Sequence, residues 1–470
     1  MTKNLLLSTD VYKMGHHDFY PNNTTKIYSY LTARSDKKIN ELVFFGLQYY
    51  IKEYLMRIIT KEDVEEFCEL KQEIVGSIGG IKESLLKLVA LGYLPLEIKA
   101  VPEGTIIPCK NVIMTITNTH PDFAWLVGFF ESLLLKLWAP ITVASFSHKL
   151  KNVVNTFASK TCDNFDMTRF QIHDFGFRGC SAEETAAILG ASHLLNFYGT
   201  DTVPAIKFHK DYYNGISPIG LSVPATEHSV ACAYKQECEF EYFEAMLNIC
   251  PTGIVSIVSD TYNLWNVLTD FASRLKSRIM TREGKVVFRP DSGDPELIIC
   301  GDSLAPSGTN EFKGALQLLW EQFGGTINSK GYKVLDPHVG LIYGDGIYFE
   351  RFERILQKMK DMGFASSNIV FGIGGLLLQQ HSRDDMGFAI KATYCVVNGE
   401  ERELMKDPIT DHKKKSLKGL MGLFLEDGKY VTKDELTWDQ EKTGLLQTVF
   451  KDGELLIETN LQEIRERCGF

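Results

Sequence analysis

The chain of 470 residues is 44% hydrophobic and 23% charged, and its 50 Lys and Arg against 60 Asp and Glu leave a formal charge of -10. That balance supplies no basic face for a phosphate backbone, so it excludes a nucleic-acid binder and suggests a soluble enzyme of two or more domains. Ten cysteines are scattered without a CxxC pair or a histidine spacing suited to zinc, and they read as reduced and mostly buried.

Near the start, Leu5-Leu6-Leu7 is too short an apolar run for a secretory signal, and Asp10 and Lys13 follow it closely. A cytoplasmic protein is the expectation. Apolar and aromatic residues recur at helical spacing from Glu41 to Ile59, and Ile81 to Leu91 predicts a second helix. Phe123 to Phe146 is the longest apolar stretch, but Glu131, Lys136 and Pro140 interrupt it, which suits a buried helix better than a membrane span.

Between Ile172 and Gly375, seven β-prone runs each end in glycine or in polar residues. They lie at Ile172–Gly179, Gly199–Thr202, Ser222–His228, Ser256–Asp260, Phe288–Gly293, Ile342–Gly346 and Phe371–Gly375. Helical stretches alternate with them: Ser181-Ala182-Glu183-Glu184 predicts a capping box opening an Ala-rich helix, and Phe349 to Met362 is amphipathic. Crossovers between parallel strands are right-handed, and roughly six to eight such units close into a barrel with one chemical rim. The predicted fold is therefore α/β, with a barrel at 166–384. Residues 385–470 are mixed, with Lys413-Lys414-Lys415 in a polar loop and a strand pair at Thr448 to Ile457 turned at Lys451-Asp452-Gly453. They are expected to join residues 1–165 as one discontinuous α+β domain.

The strand tips carry the chemistry. Glu227-His228 would project an imidazole from the rim as base, ligand or nucleophile, and Ser259-Asp260 on the next tip would orient that ring. A lone histidine is more often structural; the neighbouring tip is what favours function. Arg289-Pro290-Asp291-Ser292-Gly293 offers a forked cation and a carboxylate, with a salt-bridged surface turn as its plainer reading. Gly344-Asp345-Gly346 and Gly372-Ile373-Gly374-Gly375 are glycine-rich ends that admit a phosphate, although no GxxxxGK[ST] loop occurs and glycine also serves plain turns. Phe175 and Tyr12 could stack on a planar ring or simply plug apolar space, and Asp201 could cap a helix or accept from a ligand amide.

Taken in order, these motifs resemble the nicotinamide phosphoribosyltransferases of the type II phosphoribosyltransferase family. The resemblance covers essentially the whole chain. It runs from Asp10-Val11-Tyr12-Lys13-Met14-Gly15-His16 through His173-Asp174-Phe175-Gly176-Phe177-Arg178-Gly179, Gly199-Thr200-Asp201-Thr202 and Ser222-Val223-Pro224-Ala225-Thr226-Glu227-His228-Ser229. It continues through Arg289-Pro290-Asp291-Ser292-Gly293 and Gly344-Asp345-Gly346 to Lys406-Asp407-Pro408. It implies an incomplete (β/α) barrel, a second domain built from both chain ends, and a homodimer with shared active sites. The implied substrates are nicotinamide, 5-phosphoribosyl 1-pyrophosphate and ATP, with Mg2+ held mainly by the pyrophosphate and no nucleic acid or membrane as partner.

Residue by residue, the resemblance implies that Phe175 and the partner's Tyr12 sandwich the pyridine ring, Asp201 accepts from the carboxamide and Arg289 donates to it. Asp291 would hold ribose hydroxyls, and the Gly344 and Gly375 backbones, with the partner's Arg383 and the partner's Lys391, the phosphate. Arg178, Ser256 and Asp345 are further implied substrate contacts, and Arg34, Lys406 and Lys414 implied nucleotide or pyrophosphate contacts. His228, flanked by Glu227 and steadied by Asp260, would be phosphorylated by ATP. Three departures stand out: Ala389 replaces a hydroxyl residue, Gly340 replaces an arginine, and the loop after Arg34 is short. The nearest rival is a nicotinate phosphoribosyltransferase, whose carboxylate substrate Asp201 would repel. A non-catalytic signalling protein on the same scaffold and a plain barrel hydrolase are rivals of other classes; the intact site set opposes the first, and the lack of paired catalytic carboxylates opposes the second.

Overall fold

The computed structural model describes residues 4–35, 37–406 and 417–470. They form two compact units, one comprising Phe146–Phe208, Ile216–Gln380 and Phe470, the other the chain up to Ser145 with His209–Gly215 and His381–Gly469. The division falls within the helix Trp138–Thr161, earlier than the expected boundary at 165, and at Gln380 rather than 384. A continuous helix carries no break in composition to mark such a boundary.

In the first unit five strands make one curled parallel sheet: β1 (Ile172–Asp174), β2 (Gly253–Val258), β3 (Gly284–Arg289), β4 (Val339–Tyr343) and β5 (Ile369–Ile373). Their order is β1-β5-β4-β3-β2, parallel throughout. The expected runs at Gly199 and Ser222 do not become strands. They touch the sheet through single parallel bridges, Asp174 to Thr200, Gly199 to Leu221 and Ala225 to Ser256. These bridges lead round from β1 to β2, so the barrel has five full staves and two reduced ones. Pro224, without an N–H to give, helps keep the last of these from forming a ladder.

Strand parity sorts the side chains. On β3, Val286 and Phe288 are buried on the outer face, where the Phe288 ring lies 6.5 Å from Phe243 and 6.1 Å from Phe323 on flanking helices. Lys285, Val287 and Arg289 alternate onto the inner face and line a cavity. The outer helix Phe349–Asp361 buries Phe352, Ile355, Leu356 and Met359, the stripe its spacing predicts. The capping box at Ser181 does not form. The helix starts at Glu183 with Ala182 at its cap, and Ser181 instead pairs with Gln379, through its N–H at 2.7 Å and its hydroxyl at 3.0 Å.

The second unit centres on a seven-stranded antiparallel sheet. Its order is Glu400–Glu403, Phe388–Val397, Thr24–Ala33, Met114–Asn118, Leu96–Ala100, Gln447–Lys451, Glu454–Leu455, so strands from both chain ends share one sheet. The late hairpin turns at Asp452 and Gly453, both with positive φ. Glu41 to Ile59 is not one helix: Glu41–Val43 is a strand paired with Ile106–Pro108, and helix begins only at Leu47. Gly46 makes the break, with φ 105° and no room for a β-carbon beside Pro140. The Phe123–Phe146 stretch is likewise divided, into a turn and the helices Leu126–Phe129, Glu131–Leu135 and Trp138–Thr161. Among the described residues no single helix is long and apolar enough to cross a membrane; the pair flanking Lys136 reaches that length only across a 41° bend. All ten cysteines are free and six are buried.

Candidate functional site

Because β1 to β5 are parallel, their tips converge on one end of the barrel. Two cavities meet there. An inner one of about 400 Å³ runs inside the barrel and an outer one of about 780 Å³ opens on the rim, and both are bordered by Phe175, Asp201, Ala225 and Arg289.

At this junction Asp201 Oδ1 accepts from Ser222 Oγ at 2.5 Å and lies 3.0 Å from His173 Nε2. Burial pushes the Asp201 carboxyl up, but His173, Ser222 and the Arg289 guanidinium outweigh it and hold it below its ordinary value. Both contacts fall on Oδ1, which leaves Oδ2 to accept from a ligand. Asp174, fully buried, braces the site from behind: it accepts from the Gly176 N–H at 2.7 Å and from Thr200 Oγ1 at 3.2 Å, and burial raises its carboxyl.

Phe175 is set on edge by glycine. A β-carbon on Gly372 would stand 2.1 Å from the ring and one on Gly344 2.8 Å, so the bare backbones of two neighbouring tips form the slot that holds it. Gly179 and Gly375 meet as closely, a Gly179 β-carbon falling 2.5 Å from Gly375 Cα. Ser256, 4% exposed, lines the inner cavity with its Oγ unpartnered. Arg289 is laced to the next tip, its N–H donating to Ser259 Oγ at 3.1 Å, while its own Nε is buried and unpartnered. Arg178 and Asp345 border the outer cavity with Gly344 and Gly375.

His228 opens the short helix His228–Ala233 above the outer cavity. Its Nδ1 lies 3.1 Å from Thr261 Oγ1, while Nε2 faces Asp260 Oδ1 at 3.7 Å and Asp291 Oδ2 at 4.0 Å. The Asp260 side chain is nearly buried, with Oδ2 accepting from the Asp291 N–H at 2.8 Å and from Ser292 Oγ, and Oδ1 has no hydrogen-bond partner. An orphaned carboxylate oxygen thus looks at the imidazole, while Thr261 makes the ring's direct hydrogen bond. Glu227 is exposed and accepts from Ser229 Oγ. Tyr343 pins the Arg289–Gly293 turn from below, donating to the carbonyls of Ser292 at 2.9 Å and Gly293 at 3.1 Å.

The remaining expected residues belong to the second unit. Tyr12 is 61% exposed, with Lys13 Nζ 5.2 Å from its ring centre. Burial lowers the Lys391 amine, and the Arg34 and Lys406 cations lower it further, so these three gather like charge. Arg34 is fastened by its Nε to the Gly387 carbonyl at 2.9 Å, and Arg383 is paired with Asp384 at 2.8 Å. Lys414 lies outside the described residues. Among those described, no group of three acidic, histidine or cysteine side chains forms a metal cage. Asp291 and Asp345 both border the outer cavity, and that supply of carboxylates suits a magnesium ion ligated mainly by diphosphate oxygens.

Sequence reasoning passed over His173, Ser222 and Thr261. His173 shares the inner face of its strand with Phe175 by parity, and Thr261 directly follows Asp260, so both carried a local signal. Ser222 carried none, because its contact with Asp201 depends on how two reduced staves meet.

The profile of the nicotinate phosphoribosyltransferase family matches residues 170–454, and that of the nicotinamide phosphoribosyltransferase N-terminal domain matches residues 4–90. A nicotinamide phosphoribosyltransferase from Acinetobacter baylyi is 42% identical over 99% of this chain and 97% of its own. One from Xanthomonas campestris pv. campestris is 36% identical over 98% and 97%. Among solved structures, the nicotinate-nucleotide pyrophosphorylase of Pyrococcus furiosus superposes with a TM-score of 0.60 at 16% identity, covering 99% of this chain and 95% of that one. Human nicotinic acid phosphoribosyltransferase gives 0.56 at 15%, over 98% and 93%. At such identities these two bear on the fold alone.

Proposed function

The chain belongs to the nicotinate phosphoribosyltransferase family, among the nicotinamide phosphoribosyltransferases, and from that membership we propose that it converts nicotinamide and 5-phosphoribosyl 1-pyrophosphate into nicotinamide mononucleotide and pyrophosphate. The reaction serves NAD salvage, and the enzyme works as a cytoplasmic homodimer. The observation that carries the choice of substrate is Asp201, an acceptor-only group that borders both cavities and whose hydrogen bonds to His173 and Ser222 fall on Oδ1. An amide offers that oxygen an N–H; a pyridine carboxylate offers it a like charge.

The ring lies on Phe175, with Tyr12 of the partner subunit on its other face. Asp201 takes the carboxamide N–H and Arg289 gives to the carbonyl. The pyridine nitrogen carries a lone pair and no proton, so its attack on the anomeric carbon needs no base. The bond to pyrophosphate breaks as the new C–N bond forms, and the positive charge passes through the sugar to the pyridinium. Asp291 holds the ribose hydroxyls, and positioning with charge stabilisation supplies most of the rate. Bound magnesium would neutralise the pyrophosphate as it leaves.

His228 supplies the coupling to ATP. Carboxylates only accept, so Asp260 and Asp291 favour a proton on Nε2 and leave the Nδ1 lone pair, next to Thr261, as the nucleophile. Nδ1 attacks the γ-phosphorus, ADP departs, and hydrolysis of the resulting phosphohistidine draws synthesis forward. Arg34, Lys391 and Lys406 supply cations for phosphate, as do Arg383 and Lys414.

A product assay with magnesium and 5-phosphoribosyl 1-pyrophosphate tests this, offering nicotinamide or nicotinate with and without ATP. Nicotinamide mononucleotide from the amide alone, stimulated by ATP except in His228→Ala, is the expected result; product from nicotinate would move the assignment to the sister activity. Asp201→Ser is expected to admit nicotinate, and a strict amide preference in that variant would remove Asp201 from its role.

A further inference from the structure

His228 hangs from a reduced stave that meets β2 at a single bridge, Ala225 to Ser256. There Ser256 gives its N–H to the Pro224 carbonyl at 2.9 Å, and Thr226 gives its own to the Ser256 carbonyl at 3.0 Å. Continued as a parallel ladder, the pair would next join the Val258 N–H to the Thr226 carbonyl. Instead the Val258 N–H donates to the Thr226 side chain, 2.9 Å from Oγ1. The hydroxyl takes the bond that the ladder assigns to its own carbonyl, so the backbone leaves the sheet at Thr226. Glu227 follows at the cap position, and His228 opens the helix.

Thr226 stands two residues before His228, and Val258 two residues before Asp260. This one contact therefore sets the imidazole against the carboxylate, Nε2 to Oδ1 at 3.7 Å. Tyr242, on the helix Glu239–Ile249, supports it from behind. Its side chain is fully buried, and its hydroxyl lies 2.5 Å from Thr226 Oγ1 and 3.5 Å from the Val258 carbonyl. Burial pushes that hydroxyl up to about 12, so it keeps its proton at neutral pH. The Tyr242 ring also lies 5.6 Å from that of Tyr234, the residue that ends the His228–Ala233 helix. One buried side chain thus touches the chain on both sides of His228.

We propose that Thr226 and Tyr242 are positioning residues for His228, their two hydroxyls holding the turn that sets the imidazole against Thr261 and Asp260. They act through that turn and not on a substrate. This placement rests on the role given to His228 above, yet it is read apart from it.

Phosphorylation of the full-length protein by γ-labelled ATP, and nicotinamide mononucleotide synthesis with and without ATP, provide the test. Thr226→Val lacks the hydroxyl, so the Val258 N–H turns to the carbonyl and the imidazole moves. The ATP-stimulated kcat should fall about 100-fold, the scale of a displacement of about 1 Å. The KM for ATP and the ATP-independent rate should be unchanged, a split that a general loss of structure would not give. Thr226→Ser, which keeps the oxygen, should keep the stimulated rate. Should Thr226→Val fold poorly, Tyr242→Phe keeps the ring and should lower the stimulated kcat about tenfold, the scale of one lost hydrogen bond. Full stimulation in the folded variant, equal losses with and without ATP, or a loss in Thr226→Ser as large as in Thr226→Val would each overturn the proposal. If the unaltered protein forms no phosphohistidine, the coupling fails and crystal structures of Thr226→Val or Tyr242→Phe decide the placement. A His228 ring moved by about 1 Å or more from Thr261 would support it, and an unmoved ring would overturn it.

Discussion

The barrel rim gathers carboxylates around one imidazole, whereas the sheet built from the two chain ends gathers cations around Lys391. The two regions handle like charge differently. On the rim, Asp260 and Asp201 are held by N–H and O–H donors, which fix each carboxylate through one of its two oxygens. On the sheet, the Lys391 amine is lowered by burial first and then by Arg34 and Lys406, the effect of like charges held near one another. Under the proposed function, the rim orients and the sheet attracts.

The largest expected effect is on the rim. Asp260→Ala removes the carboxylate that holds the Asp291 N–H and Ser292 Oγ and faces His228. It should lower kcat/KM by about 100- to 1000-fold, the scale of losing one preorganised electrostatic group. A loss confined to the KM for 5-phosphoribosyl 1-pyrophosphate would instead give the rim the character assigned to the sheet.

Gly372→Ala probes orientation by shape. Its β-carbon would fall 2.1 Å from the Phe175 ring, so Phe175 must move. The expected cost is about 1–3 kcal/mol in thermal unfolding, with a KM rise for nicotinamide larger than for the diphosphate substrate. An unchanged melting temperature would show that the ring is not seated against that backbone.

Acid separates the regions through their buried groups. In the barrel unit, burial pushes fully buried His193 from 6.5 down to about 3. Its folded value lies below its unfolded one, so its contribution to stability is present above about 6.5 and lost as pH falls toward about 3. In the other unit burial raises Glu103 against the N–H groups of Gln48 and Gly46. Its contribution is present at low pH and lost as pH rises through the raised value. Urea unfolding at about pH 7 and about pH 5 should show His193→Gln gaining about 2 kcal/mol on the unaltered protein at the lower pH. That difference isolates His193 from Asp174, whose burial-raised carboxyl acts in the opposite sense. An equal fall in both proteins would remove His193 as the cause.

The smallest effect belongs to the sheet. Lys391→Met should raise the KM for 5-phosphoribosyl 1-pyrophosphate about tenfold, near 1.4 kcal/mol, and reduce its salt dependence while sparing the KM for nicotinamide. Equal changes in both constants would erase the contrast between the regions.

The barrel was legible in the sequence because each run ending in glycine or a polar tip needs only local chemistry to be seen, and five of the seven are full strands. The helices Ile81–Leu91 and Phe349–Asp361 were legible for the same reason, since their period exceeds two turns. Glu41–Val43 was not: three residues cannot distinguish a strand from a helical turn, and pairing with Ile106–Pro108 decided the matter. Ser181 had the composition of a cap, but a residue almost two hundred positions away took its hydrogen bonds. Ser222 on Asp201 lay beyond reading in the same way, whereas Thr261 was marked by its place next to Asp260.

By itself the sequence determined which residue types stand at the strand tips, the period of the longer helices and the family those motifs resemble, because each is set by near neighbours along the chain. Only the tertiary structure decided which tip faces which: that Phe175 sits in a slot of two bare glycine backbones, that Thr261 rather than Asp260 bonds the His228 ring, and that Lys285 crosses Gly340 inside the barrel. Those contacts join residues far apart in sequence. Their geometry depends on the curl of the sheet, which no short stretch of chain contains.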